Sequence, residues 1–186
     1  NFMLVHLTYI VHYQASDELK TKPAQNAIRG LMQMGLQPDV LMCRTERKDP
    51  SGLPQSVRAK MGQYCSNLIE APNVESIYHI PLLFLDQGFD RCVRRHFGSD
   101  FGPKNINTTS NPWITLRNQI DTAANSKRNI TIAIVGKYTA LHDAYCSVLE
   151  AVFHSSLRPS SECKVNYVWW DARKQKIGGE IICKVF

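Results

Sequence analysis

Residues 18–44 read ELKTKPAQNAIRGLMQMGLQPDVLMCR. Two periodicities meet in this stretch, and their order decides the fold. Ala24, Ala27, Ile28 and Leu31 recur at helical spacing. Pro23 suits a first helical turn, where no backbone N–H is needed, and Gly35 supplies a stop. QPD then turns the chain, and VLMCR (40–44) is short, apolar and strand-like. Upstream, MLVHLTYIV (3–11) is a β-rich run read as a buried strand, followed by the polar turn HYQASDE (12–18). Strand, helix and strand in that order make a βαβ unit, whose crossover implies a parallel sheet.

The same stretch poses a chemical question. Lys20 and Lys22 stand where a helix begins, and the backbone there already carries partial positive charge. Helix starts expose unpaired N–H groups and attract anions. Thr21 offers a hydroxyl and Gln25 an amide that bonds in either sense. A polyphosphate matches this set, because its many oxygens accept several charged hydrogen bonds at once. The alternative is that both lysines are solvated loop residues, and spacing does not decide between the two.

Outward from this unit, residues 45–56 read as a loop and SVRAKMGQYC (56–65) as a short helix carrying Lys60. SIYHIPLLFLDQGFDRCVRRHF (76–97) predicts a strand-like start, then a helix from about Pro81 with Leu82, Leu85, Phe89, Val93 and Phe97 on one face. Arg91, Arg94 and Arg95 lie at its end, where cations favour the helix dipole. Residues 98–128 are rich in Asn, Ser, Thr and Gly and read as a linker with one helical insert, PWITLRNQIDTAA. A second unit opens with NITIAIVGKY (129–138), a near-continuous apolar strand. TALHD is a loop with Asp143 a candidate N-cap, and AYCSVLEAVFHSS a helix aligning Ala144, Val148, Ala151 and Val152. KVNYVWW (164–170) is the returning strand of another βαβ unit.

The 186 residues suffice for one large domain or two small ones. A net charge of +6 suits anionic partners, and equally suits simple solubility. Aromatic and basic residues do not interleave as on a nucleic-acid-binding surface, so no nucleic acid is predicted. The apolar N-terminal run is too short for a membrane span and lacks a basic leader, so no membrane is predicted either. None of the six cysteines forms a C-x-x-C pair, which argues against zinc and for reduced thiols in a cytoplasmic protein. Gly136 and Lys137 follow a strand, but the G-x-x-x-x-G-K-[ST] phosphate loop is not met. No cysteine stands in a glycine-flanked elbow, and Glu150 with His154 is a single i,i+4 pair rather than a metal site.

The order of motifs resembles a known family. LKTKPAQNAIRGLMQMGLQPDVLMCR is similar to the segment of CTP synthases reading L-K-T-K-P-T-Q-[HN]-S-V, a helix, G-x-x-P-D and a strand ending in C-R. AKMGQYC is similar to the family's K-I-x-x-F-C, and VESIYHIPLLFLDQGFD to its V-x-S-I-Y-x-[IV]-P-L-L-L-x-x-Q-G. ITIAIVGKYTALHDAYCSVLEAVFHS resembles I-A-[IML]-V-G-K-Y-x-x-L-x-D-A-Y-x-S-V-x-E-A-L-x-H.

The resemblance implies an α/β fold of parallel-sheet βαβ units in two partial domains, one P-loop-like and one flavodoxin-like. Residues 1–97 correspond to the end of an amidoligase domain, 98–128 to the linker, and 129–186 to the first βαβ unit of a class I glutamine amidotransferase domain. It implies a ligase that aminates UTP to CTP with ATP, Mg²⁺ and glutamine, working as a homotetramer. The UTP/CTP triphosphate falls on Lys20, Thr21, Lys22, Pro23, Ala24 and Gln25, with Lys60 as a second contact. ATP falls near Pro72, Asn73 and Val74. The chain departs from the pattern in three places: Ala24 replaces a threonine, Asn73 replaces an aspartate, and the segment between Cys65 and Ser76 is a few residues short. The family's phosphate loop, Mg²⁺-binding carboxylates and glutaminase Cys-His-Glu set have no counterparts here. The expectation is a piece of an enzyme, inactive alone, whose residues 129–186 are marginally stable by themselves. The rival is a non-catalytic nucleotide-binding or assembly module.

Overall fold

The computed structural model describes residues 2–46, 52–98, 111–159 and 162–172. The chain divides into two compact units, Asn1–Ile114 and Thr115–Phe186. Both are α/β with parallel strands, as the βαβ reading predicts.

In the first unit, β1 (Val5–Tyr9), β4 (Val40–Arg44) and β5 (Leu68–Ala71) form a parallel sheet in the order β1-β4-β5. Val5 stands opposite Val40, and Leu41 opposite Leu68. The central strand is the VLMCR segment, and its Val40, Leu41 and Cys43 are 0% exposed. Helix α1 (Lys22–Gln33) lays Ala24 and Ile28 on the sheet. Burying Ile28 contributes roughly 1.5–3 kcal/mol. Helix α2 (Gln55–Gly62) adds Val57 and Met61 to the same core, which Ile10, Leu53 and Cys65 complete. Ala27, predicted on the buried face, is exposed.

Several expectations change here. The 3–11 strand ends at Tyr9, and Ile10, 0% exposed, donates its N–H to Arg44 O at 2.8 Å. It is also less buried than predicted, since Leu7 and Tyr9 are exposed. The polar turn is a hairpin: β2 (Val11–Tyr13) pairs antiparallel with β3 (Glu18–Lys20), placing Val11 opposite Lys20. Asp17 turns it in the left-handed region, φ 47°, which a short polar side chain tolerates. Strand β5 was not predicted, because LIEA is too short and carries a charge. The 76–97 helix is two helices. A 3-10 turn (Ile77–His79) replaces the strand-like start, followed by α3 (Ile80–Asp86) and α4 (Phe89–Phe97). Gly88, at φ 81°, breaks the run.

The second unit holds the end of α5 (Pro112–Ala124), the predicted insert, and parallel strands β6 (Asn129–Gly136) and β7 (Lys164–Asp171). A 3-10 turn (His142–Tyr145) leads into α6 (Cys146–Ser156). Asp143 sits inside that turn, and Tyr145 occupies the N-cap position of α6, so Asp143 is not its cap. The predicted stripe is rotated: Ala144, Val148 and Ala151 are exposed, whereas Leu149, Val152, Phe153 and Ser156 are buried or half-buried. The helix is apolar on more than one side, so periodicity does not select the packed face. Strand β6 buries only Ile134, while Ile130 and Val135 are exposed. Cys183, the 173–186 tail, and parts of the loop (47–51) and linker (99–110) lie outside the described residues.

Candidate functional site

The hairpin lifts the chain off the carboxyl end of β1 and delivers it to α1. Lys20 closes β3, Thr21 is the N-cap residue of α1, and Lys22 and Pro23 open its first turn. Lys22 and Pro23 are exposed, and no side chain caps the helix start or places an acid in its first turn. Thr21 is buried, and its Oγ1 accepts a 3.3 Å hydrogen bond from Gln25 Nε2. Ala24 is 1% exposed and its methyl belongs to the core, so only its backbone can face a ligand at the helix start.

Lys20 Nζ donates to Glu18 Oε2 at 2.5 Å, two residues back on the same face of β3. The hydrogen bond and charge of Lys20, with a further contribution from Lys60, hold the Glu18 carboxyl below its ordinary range. Lys60 is in the last turn of α2. Although about 40 residues from the hairpin in sequence, it shares a cavity of about 210 Å³ with Asp17, Glu18 and Leu19. Pro54, Ser56, Val57 and Glu70 complete the lining. The fold therefore brings Lys60 to the strand that carries Lys20, which no local pattern indicates.

The acidic wall is built carefully. Glu70, on β5, is 7% exposed and accepts from Thr45 Oγ1 at 3.1 Å. Gln87 reaches back from beyond α3 to bracket the Glu70 backbone. Its Oε1 accepts from Glu70 N at 2.7 Å, and its Nε2 donates to Glu70 O at 2.8 Å. An amide side chain thus takes the place of a strand neighbour on β5. Pro72, Asn73 and Val74 follow β5 directly and do not line the cavity. Asn73 Oδ1 accepts from Arg44 Nη2, and its N–H donates to Thr45 O at 3.1 Å. This ties the loop to the carboxyl ends of β4 and β5, where open parallel sheets receive ligands. Sequence reasoning missed Asp17, Glu18, Ser56 and Glu70. Only Glu18 left a local signal, its i,i+2 spacing to Lys20.

Among the described residues no group of three or more His, Cys, Asp or Glu is placed to hold a metal ion. No helix among them is long and apolar enough to cross a membrane.

A parallel α/β sheet with a lysine-bearing helix start at its carboxyl end defines an α/β protein with a candidate anion site. The family model described as CTP synthase N-terminus matches residues 1–99. The chain belongs to the CTP synthase family. It is 37% identical over 175 residues to the CTP synthase of Paramagnetospirillum magneticum, covering 92% of this chain and 30% of that protein. It is 39% identical over 178 residues to that of Zymomonas mobilis, covering 92% and 30%. It is 38% identical over 186 residues to that of Rhizorhabdus wittichii, covering 96% and 32%. The chain thus spans about a third of the length of these relatives.

Proposed function

We propose that the chain is part of a CTP synthase, a glutamine-dependent ligase that aminates UTP to CTP with ATP, and that it contributes the phosphate cradle for the pyrimidine nucleotide. One observation carries the reading: Lys60 lines one cavity with Glu18 and Leu19 of the strand that ends in Lys20, immediately before the uncapped start of α1. Lys20, Lys22 and Lys60 supply charge, the α1 backbone and Gln25 supply hydrogen bonds, and Pro23 leaves the first turn without a donor that would need filling. Each charged hydrogen bond to phosphate is worth roughly 1.5–3 kcal/mol. Ala24 takes part through its backbone. The loop of Pro72, Asn73 and Val74 is the candidate ATP contact, supported by its place at the strand ends. The Mg²⁺ that accompanies ATP finds no ligand set among the described residues, and glutamine hydrolysis, tetramer formation and a cytoplasmic location belong to the same proposal.

The test is calorimetric titration of UTP into the chain and into a Lys20→Ala/Lys22→Ala variant. The variant binds at least about a hundredfold more weakly if the two lysines hold phosphate. Equal affinities remove them from the site. A second reading keeps the binding and drops the chemistry, the chain acting as a nucleotide-binding module. The chain put in place of the matching segment of the Zymomonas mobilis enzyme distinguishes the two: CTP formation from UTP, ATP and ammonia in that chimera supports the first reading, and UTP binding without CTP formation supports the second.

A further inference from the structure

Resting on the phosphate reading above, we infer that Glu18 is a built-in competitor of the phosphate, an anionic placeholder that holds Lys20 in the empty site and must release it when a triphosphate arrives. The geometry is direct. Glu18 and Lys20 stand on one face of β3, and their charged atoms meet at 2.5 Å. Their side chains are 55% and 48% exposed, so the pair is open to a ligand and is not locked in the core. Glu18 also forms part of the wall of the cavity that Lys60 enters. One carboxylate therefore faces two of the three lysines assigned to the phosphates. Asp17, the next acid along, lines the same cavity, and its Oδ1 stands 2.9 Å from His12 Nε2, whereas Glu18 is the acid that meets Lys20.

The physical logic follows from charge. Lysines gathered at a helix start repel one another and the N-terminal dipole when no anion is bound. A carboxylate supplied by the strand itself relieves that repulsion. The lowered carboxyl range of Glu18 keeps it charged across neutral pH. An exposed pair of this kind is weak, about 0.2–1 kcal/mol, so it yields to a dense anion and resists a weak one. Glu18 thereby sets the charge a ligand needs before it can take Lys20, which favours triphosphates over less charged phosphates.

The experiment compares the full chain with Glu18→Gln and Glu18→Asp, titrating inorganic triphosphate, UTP and uridine. Glu18→Gln binds triphosphate and UTP tighter, by up to about fivefold, and Glu18→Asp, which keeps the charge, stays near the parent. Uridine affinity does not change. Triphosphate affinity in Glu18→Gln that is equal to or below the parent's overturns the inference, as does an equal gain for uridine. If neither parent nor Glu18→Gln binds triphosphate, the inference is likewise overturned, whereas binding that appears only in Glu18→Gln supports it. The phosphate reading fails by a separate result, unchanged triphosphate affinity in Lys20→Ala/Lys22→Ala.

Discussion

Replacing Gln87 with leucine isolates a device that neither helix periodicity nor strand pattern contains. Gln87 makes two good hydrogen bonds to the backbone of Glu70, at 2.7 and 2.8 Å. Leucine fills similar volume and makes neither. Two backbone bonds at about 1 kcal/mol net give about 2 kcal/mol, rising towards ~4 if water does not reach the abandoned groups. Glu70 is 7% exposed, so the upper part of that range applies. The loss is local as well as global, since these bonds guard the open edge of β5. The assay is hydrogen exchange of the Glu70 amide in the whole chain, alongside urea denaturation followed by far-ultraviolet circular dichroism. Loss of about 3–4 kcal/mol accelerates that amide's exchange by about a hundredfold or more if it exchanges by local opening. Gln87→Glu keeps an acceptor for the Glu70 N–H but turns an oxygen onto the Glu70 carbonyl, and it costs at least as much as leucine. A stability change below about 0.5 kcal/mol with unaltered Glu70 exchange refutes the reasoning, because surface substitutions alone fall in that range.

Burial, with the nearby Glu70 charge, pushes the Cys43 thiol up from 9.0 to about 12. The folded state keeps a proton that the unfolded state releases. The contribution is therefore full below pH 9 and is lost as pH rises towards 12, at up to roughly 1.4 kcal/mol per pH unit. Stability falls more steeply over that window in the parent than in Cys43→Ala, and a parallel pair of pH profiles contradicts this. Gly88→Ala forces a side chain into φ 81° between α3 and α4, and its Cβ would meet the Arg91 guanidinium. It lowers stability by about 1–2 kcal/mol, read from the urea midpoint, and an unchanged midpoint argues against it. Gly136→Ala would drive a Cβ into Tyr145 Oη, whose hydroxyl donates to Lys137 O at 2.5 Å. It destabilises the β6 end by about 1–3 kcal/mol, and adding Tyr145→Phe recovers part of that loss. No recovery in the double variant rules out the hydroxyl contact as the cause.

The class of fold was legible because it depends on order along the chain. VLMCR and NITIAIVG are apolar enough to read as strands without knowing their neighbours, and the helices between them carry their own periodicity and breakers. The helix start at Lys22 was legible for the same local reason, since Pro23 and Gly35 bracket α1. The family resemblance, too, lived in contiguous motifs.

Other features depend on which surfaces meet, and only tertiary structure decides that. Strand β5 holds four residues, and it exists as a strand because β4 offers one edge and Gln87 the other. The exposed side of α6 was chosen by the sheet, not by the spacing of its apolar residues. The turn read as polar became a hairpin because Val11 and Lys20 pair across it. The family resemblance places Ala24 in the phosphate cradle, and the helix phase, which turns its methyl into the core, leaves only its backbone to face that side. The candidate site shows the same division. The lysines of ELKTK raise the question of an anion from sequence, because charge and a helix start are local. That Lys60 and Glu18 share their cavity is settled by long-range packing of α2 against the hairpin and β5, which no short window of sequence records.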